Sequence, residues 1–183
     1  MLRRGAVLLC AVAMVMMFTA ASASAASPHF KKGGEPTCTI TTTGSNSAEV
    51  VCTGTLAGLG NADLVITTSV NGSAVYQCQN AGGNIAPGQN KVLVGPATST
   101  TSIPAGQIKN GNLRFTTNPA TLSAPATVSG AVAGCPNNNW TGVNPVVTVT
   151  NISLVIEQPP GTQIFSCSAS DPNGLSGTVT LSC

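Results

Sequence analysis

From Thr37 onward the chain is built of short runs rich in Val, Ile, Leu and Thr, most with apolar side chains at alternate positions. A period of two puts successive side chains on opposite faces of an extended strand. Strands are therefore expected at 38–42, 48–56, 63–70, 74–79, 91–94, 112–117, 127–132, 146–150, 152–157, 163–169 and 177–183. Gly, Asn and Pro separate most of them, at Gly58-Leu59-Gly60-Asn61, Asn71-Gly72, Pro104-Ala105-Gly106, Asn110-Gly111-Asn112 and Pro159-Pro160-Gly161. Asn-Gly between apolar runs is a strong hairpin signal, so a tight turn is expected at Asn71-Gly72. The stretch 97–102 is low in complexity and reads as an edge strand or a loop. No segment of ten or more residues combines a 3.6-residue period with caps, so negligible helix is expected. Nor is there a fixed-period repeat, which speaks against a solenoid or propeller. The pattern predicts an all-β fold: an antiparallel β-sandwich, Ig-like or Greek-key, with about ten short strands.

The first residues follow a different rule. Arg3 and Arg4 precede an apolar stretch over 6–18, which gives way to small residues ending in Ala23-Ser24-Ala25. This is the layout of a secretory signal peptide cleaved after Ala25. A retained anchor is the alternative, but the run falls short of the roughly 20 residues that span a bilayer. The expected organisation is a signal peptide at 1–25, a flexible leader at 26–36 and a single domain at 37–183, with no membrane span in the mature chain.

Removing residues 1–25 from the 183 leaves 158, which suits one sandwich domain. Lys31, Lys32, Lys91, Lys109 and Arg114 then face Glu35, Glu49, Asp63, Glu157 and Asp171, a balance of zero. Nucleic acid is not an expected partner, because nothing in this balance would attract a phosphate backbone. Thr, Ser, Asn and Gly stand where charges usually do, a composition of extracellular β proteins.

Cys10 lies in the signal, leaving Cys38, Cys52, Cys78, Cys135, Cys167 and Cys183. An even number in an exported chain predicts three disulfides, although six cysteines allow about 15 connectivities. Folding about Thr43-Gly44-Ser45-Asn46-Ser47 sets Cys38 opposite Cys52 and Ile40 opposite Val50. Folding about Asp171-Pro172-Asn173-Gly174 sets Cys167 opposite Cys183 and Ala169 opposite Leu181. Both registers place the sulfurs on the apolar face, within reach of each other. Cys78–Cys135 follows by elimination. The rival reading is metal binding, but there is no Cys-x-x-Cys pair and His29 is the only histidine.

Candidate chemistry is sparse. Hydrolysis calls for a base near neutral pH or a pair of carboxylates, whereas His29 lies in the leader and the five carboxylates are scattered. Asp63 and Asp171 could meet in a calcium site, but the EF-hand pattern is absent. No helix follows Gly58-x-Gly60 or Gly82-Gly83 to complete a phosphate loop. No catalytic residue, metal or cofactor is therefore expected. Three Asn-x-Ser/Thr sequons, at Asn71, Asn139 and Asn151, matter only in a glycosylating host. If Cys78 bonds Cys135, two amide-rich loops and the sole tryptophan come together. Asn80, Asn84, Gln89, Asn90, Asn137, Asn138 and Trp140 are the candidate binding residues, for a sugar or a peptide. The bland alternative is that these amides satisfy loop backbone while Trp140 covers a core edge.

The segment Cys78-Gln79-Asn80-Ala81-Gly82-Gly83-Asn84-Ile85-Ala86-Pro87-Gly88-Gln89-Asn90, with Cys135-Pro136-Asn137 and Trp140 after it, resembles a group of small exported actinomycete proteins called hypothetical secreted proteins. The resemblance extends over most of the mature chain. It implies a bacterial, extracellular location and supplies no activity, ligand or oligomeric state. The expected role is a secreted non-catalytic domain that binds an extracellular partner or serves structurally. The alternatives are a carrier of a small apolar molecule between two sheets and, third, a secreted hydrolase.

Overall fold

The computed structural model describes residues 27–183; the expected signal peptide lies outside the described residues. Eleven strands form two antiparallel sheets, so the fold class is as the alternation predicts. In the first sheet, β3 (Ser47–Ala57) is flanked on one side by β1 (His29–Phe30) and β2 (Thr37–Gly44). On its other side run β6 (Leu113–Thr116) and β7 (Ala120–Ser123). The last strand, β11 (Gly177–Thr180), pairs with β2. The second sheet has the order β10 (Gln163–Leu175), β9 (Thr141–Glu157), β4 (Leu64–Gln79), β5 (Ile85–Ile103). A two-residue strand, β8 (Val128–Ser129), joins the far end of β9. With β2-β3-β6/β7 facing β10-β9-β4-β5, strand order and chain order are those of an immunoglobulin-like Greek key, A-B-E against G-F-C-C′. β11 is an added strand.

Alternation builds the core. Val50, Leu56, Phe115 and Leu122 of the first sheet meet Leu64, Ile66, Tyr76, Ile152, Leu154 and Ile156 of the second, all essentially buried. All three expected disulfides form. Cys38–Cys52 links a directly paired register position of β2 and β3, with Ile40 opposite Val50. Cys167–Cys183 closes one open edge of the sandwich. There β10 of one sheet and the tail after β11 of the other meet in a single Ser168–Ser182 bridge. Cys78–Cys135 ties the end of β4 to the segment before β9. None of the three takes the B–F position of antibody domains. The opposite edge is joined by Asn118, whose Nδ2 donates to Thr100 O (2.8 Å) and whose N–H donates to Thr101 Oγ1 (2.7 Å).

The strands are longer than expected, because several predicted turns are bulges. β4 runs unbroken for 16 residues through Asn71-Gly72, where its register shifts against both neighbours. Gly72 is required by close approach: a Cβ there would sit 2.2 Å from Thr148 O and 2.7 Å from Leu122 Cδ2. The two predicted strands 146–150 and 152–157 are one strand, β9, of 17 residues. The low-complexity stretch 97–102 belongs to β5, the 19-residue edge strand. Asp171-Pro172-Asn173-Gly174 does fold on itself, Asp171 Oδ1 accepting the Asn173 N–H (2.8 Å), but as an excursion within β10. Residues 127–132, expected as a strand, divide between β8 and a single helical turn, α1 (Gly130–Ala133), closed by Gly134 in the left-handed region. β7 lies where the alternation predicts no strand. In the leader, His29 and Phe30 pair with β3, and the Phe30 ring lies 4.6 Å from that of Phe165.

Thr68, fully buried in β4, has a hydroxyl without a hydrogen-bond partner among the described residues. An orphaned buried hydroxyl costs about 1–3 kcal/mol. Thr68→Val keeps the shape and removes that cost. Chemical denaturation should show a gain of about 1 kcal/mol, and a loss would mean the hydroxyl is satisfied.

Candidate functional site

The Cys78–Cys135 bridge brings the two amide-rich segments together at one end of the sandwich. What remains of the first as a loop is only the β4–β5 hairpin tip. Asn80 Oδ1 accepts the N–H groups of Gly82 (3.0 Å) and Asn84 (2.9 Å), shaping that tip. Asn90 Nδ2 donates to Val132 O (3.0 Å) and Ala131 O (3.4 Å), tying β5 to the backbone of the single-turn α1. Asn137 Oδ1 accepts the Asn139 N–H (3.0 Å), and Gln89 Nε2 lies 3.4 Å from Pro87 O. Trp140 is half-buried and packs on the core. Asn84 and Asn138 are exposed. Asn80, Asn90 and Asn137 thus hold backbone in place.

Three of the five isolated carboxylates also accept backbone N–H groups. Asp63 accepts the Ala105 N–H (2.9 Å), Glu157 that of Gly161 (2.9 Å), and Asp171 that of Asn173. His29 Nδ1 is 2.8 Å from Ser27 O. Among the described residues, no three His, Cys, Asp or Glu side chains gather as a metal site would require.

A different feature arises where both neighbours of β4 bulge at the same place. Val75 pairs with Lys91 and Val146, whereas Gln77, two residues on, pairs with Pro87 and Val143. Opposite Tyr76, therefore, β5 has three residues, Gly88-Gln89-Asn90, and β9 has two, Asn144-Pro145. Gly88 permits this: a Cβ there would meet Tyr76 O at 2.5 Å and Ala133 O at 2.7 Å. Asn144 sits at φ 48°, in the left-handed region. The paired bulges open a cleft of about 430 Å³ lined by Ser45, Val75, Gln77, Pro87, Asn144 and Val146, among others. Bulges are over-represented beside functional sites, and so are residues held in sparsely populated backbone conformations.

The cleft has apolar walls and a polar floor. Val75 is 41 % exposed and Val146 57 %, unusual for valines side by side on a sheet. Asn144 Nδ2 donates to Gln77 Oε1 (2.9 Å). That leaves the Gln77 NH₂ and the Asn144 carbonyl oxygen to pair with something else. No charged residue lines it; Lys91, exposed, stands beside it opposite Val75. The outer face of the first sheet is quite different, a hydroxyl surface with Thr180, Thr37, Thr53 and Thr116 in one row across four strands.

Beneath the cleft, Tyr76 points into the core and its hydroxyl donates to Pro125 O (2.9 Å). Burial raises its pKa above the ordinary phenolic value. The folded state thus holds this proton more tightly than the unfolded state, so the associated stability is intact below about pH 10 and is lost as pH rises further. Tyr76→Phe should cost about 1 kcal/mol at neutral pH and flatten the alkaline limb of a stability–pH curve. An unchanged limb would place the alkaline loss elsewhere.

Sequence reasoning missed this cleft. Asn144-Pro145, a turn-type dipeptide directly before the strand-like run 146–150, is the one local signal. No family model and no curated protein matches this chain.

Proposed function

We propose that this chain is a secreted, non-catalytic recognition domain that binds an extracellular partner through the outer face of its second sheet. The observation that carries this reading is the cleft made by paired bulges around Tyr76. Strand pairing is given up there on both sides of β4, leaving two valines and two half-used amides open to solvent. Three disulfides fit an oxidising compartment, as do the signal-like residues 1–25 and the resemblance to exported actinomycete proteins. The scattering of the carboxylates, three of them taken up by backbone N–H groups, supports a non-catalytic role. The intersheet space that an apolar carrier would need holds core side chains, among them Leu64, Phe115 and Leu154.

The test is site-specific photo-cross-linking in the exported protein. A benzophenone side chain at position 146 should give a discrete adduct with an extracellular component, while one at position 39, on the threonine face, should not. Absence of adducts at 146, or the same adducts at both positions, would count against the assignment.

A further inference from the structure

The cleft carries information about its ligand. Resting on the recognition reading above, we infer that it takes the carboxy-terminal end of an extended peptide with a branched aliphatic side chain. Three features converge. Val75, Val146 and Pro87 form an apolar seat of aliphatic dimensions, with no aromatic side chain exposed in it to stack a sugar ring, since Tyr76 is buried. Gln77 and Asn144, already bonded to each other, retain one amide donor group and one carbonyl acceptor. That pair complements the C=O and N–H of a peptide unit, and neither group is matched by a hydrocarbon chain. Lys91 then supplies charge complementarity. It is directly opposite Val75 in the ladder, so its Cβ is about 5 Å from that of Val75 on the same outer face. No carboxylate of this chain lines the cleft. An aliphatic residue on the valines, its amide on the Gln77–Asn144 pair and its carboxylate toward Lys91 uses all three.

The probe is acetyl-Val-Val with a free carboxylate, titrated into ¹⁵N-labelled oxidised protein and followed by NMR. The side-chain amide signals of Gln77 and Asn144 and the backbone signals of Val75 and Val146 should shift together. Gln77→Ala and Asn144→Gly should each weaken binding about tenfold. Glycine is chosen at 144 because it accepts the left-handed backbone and keeps the fold. Lys91→Gln should weaken the free acid but leave acetyl-Val-Val-amide unchanged, which a merely structural lysine would not do. Val132→Ser, an exposed apolar change on α1, serves as the control and should change nothing. The inference is overturned if those signals do not move, or if the Val75 and Val146 signals move equally in the Gln77 and Asn144 variants. It is also overturned if hexanoate binds as well as the peptide and is indifferent to Gln77→Ala, since that describes an acyl-chain site. Loss of the peptide result with a surviving adduct at 146 removes only the ligand class; loss of both removes the recognition reading too.

Discussion

Replacing Cys78 and Cys135 together by serine should lower stability by about 4 kcal/mol, the largest effect expected of any single cross-link. The bridge closes 57 residues of sequence, and the entropy released to the unfolded chain grows with the logarithm of that span. Cys38–Cys52 and Cys167–Cys183, separated by 14 and 16 residues, should each contribute about 3 kcal/mol. The long bridge also has a local consequence. It anchors α1 and the segment up to Trp140 against β4 and β5, where Gly88 packs between Tyr76 O and Ala133 O. Amide exchange in the double variant should therefore accelerate first at 130–140 and around the cleft. Urea denaturation of the two proteins measures the stability difference. A ranking in which the long bridge matters least would show that the unfolded chain is already compact around these residues.

Gly72→Ala should cost about 3 kcal/mol, far beyond the few tenths typical of a surface change in a strand. The added methyl would lie 2.2 Å from Thr148 O, a backbone atom of the neighbouring strand, and 2.7 Å from a methyl of buried Leu122. Neither can move without disturbing β9 or the core. Were Asn71-Gly72 the exposed hairpin turn that its sequence suggests, alanine at 72 would be strained by backbone conformation instead of by contact. Leu122→Ala in the Gly72→Ala background discriminates the two. Relief of part of the penalty is expected from crowding, and simple additivity would contradict it.

That one dipeptide shows where sequence reasoning stops. Two of the cysteine pairs were legible because a period of two puts sulfurs and apolar residues on one face, and the register then leaves little choice; the third followed only by elimination. The paired position of Cys38 and Cys52, and the Ser168–Ser182 bridge beside Cys167 and Cys183, follow the same arithmetic. Turn chemistry was legible as chemistry but not as topology. Asp171-Pro172-Asn173-Gly174 makes its local hydrogen bond, yet the strand resumes beyond it, because Leu175 still finds Val149. A bulge and a hairpin share their local signals, and the decision is made by strands far away in sequence. The cleft was hidden for the same reason. Val75, Gln77 and Pro87 lie far along the chain from Asn144 and Val146, and only the shifted registers on both sides of β4 unite them. The amide-rich loops stand out in the sequence because Asn and Gln cluster there. Their folded role, at Asn80, Asn90 and Asn137, is to close turns and cap a short helix.

The cleft depends on oxidised sulfurs holding two sheets in one register. Proteolysis of the exported protein without reduction, followed by mass spectrometry, reads that directly. The expected linked peptides join Cys38 to Cys52, Cys78 to Cys135 and Cys167 to Cys183, with no thiol open to alkylation in denaturant. A free cysteine among the six, or any other pairing, would contradict the fold and the cleft built on it.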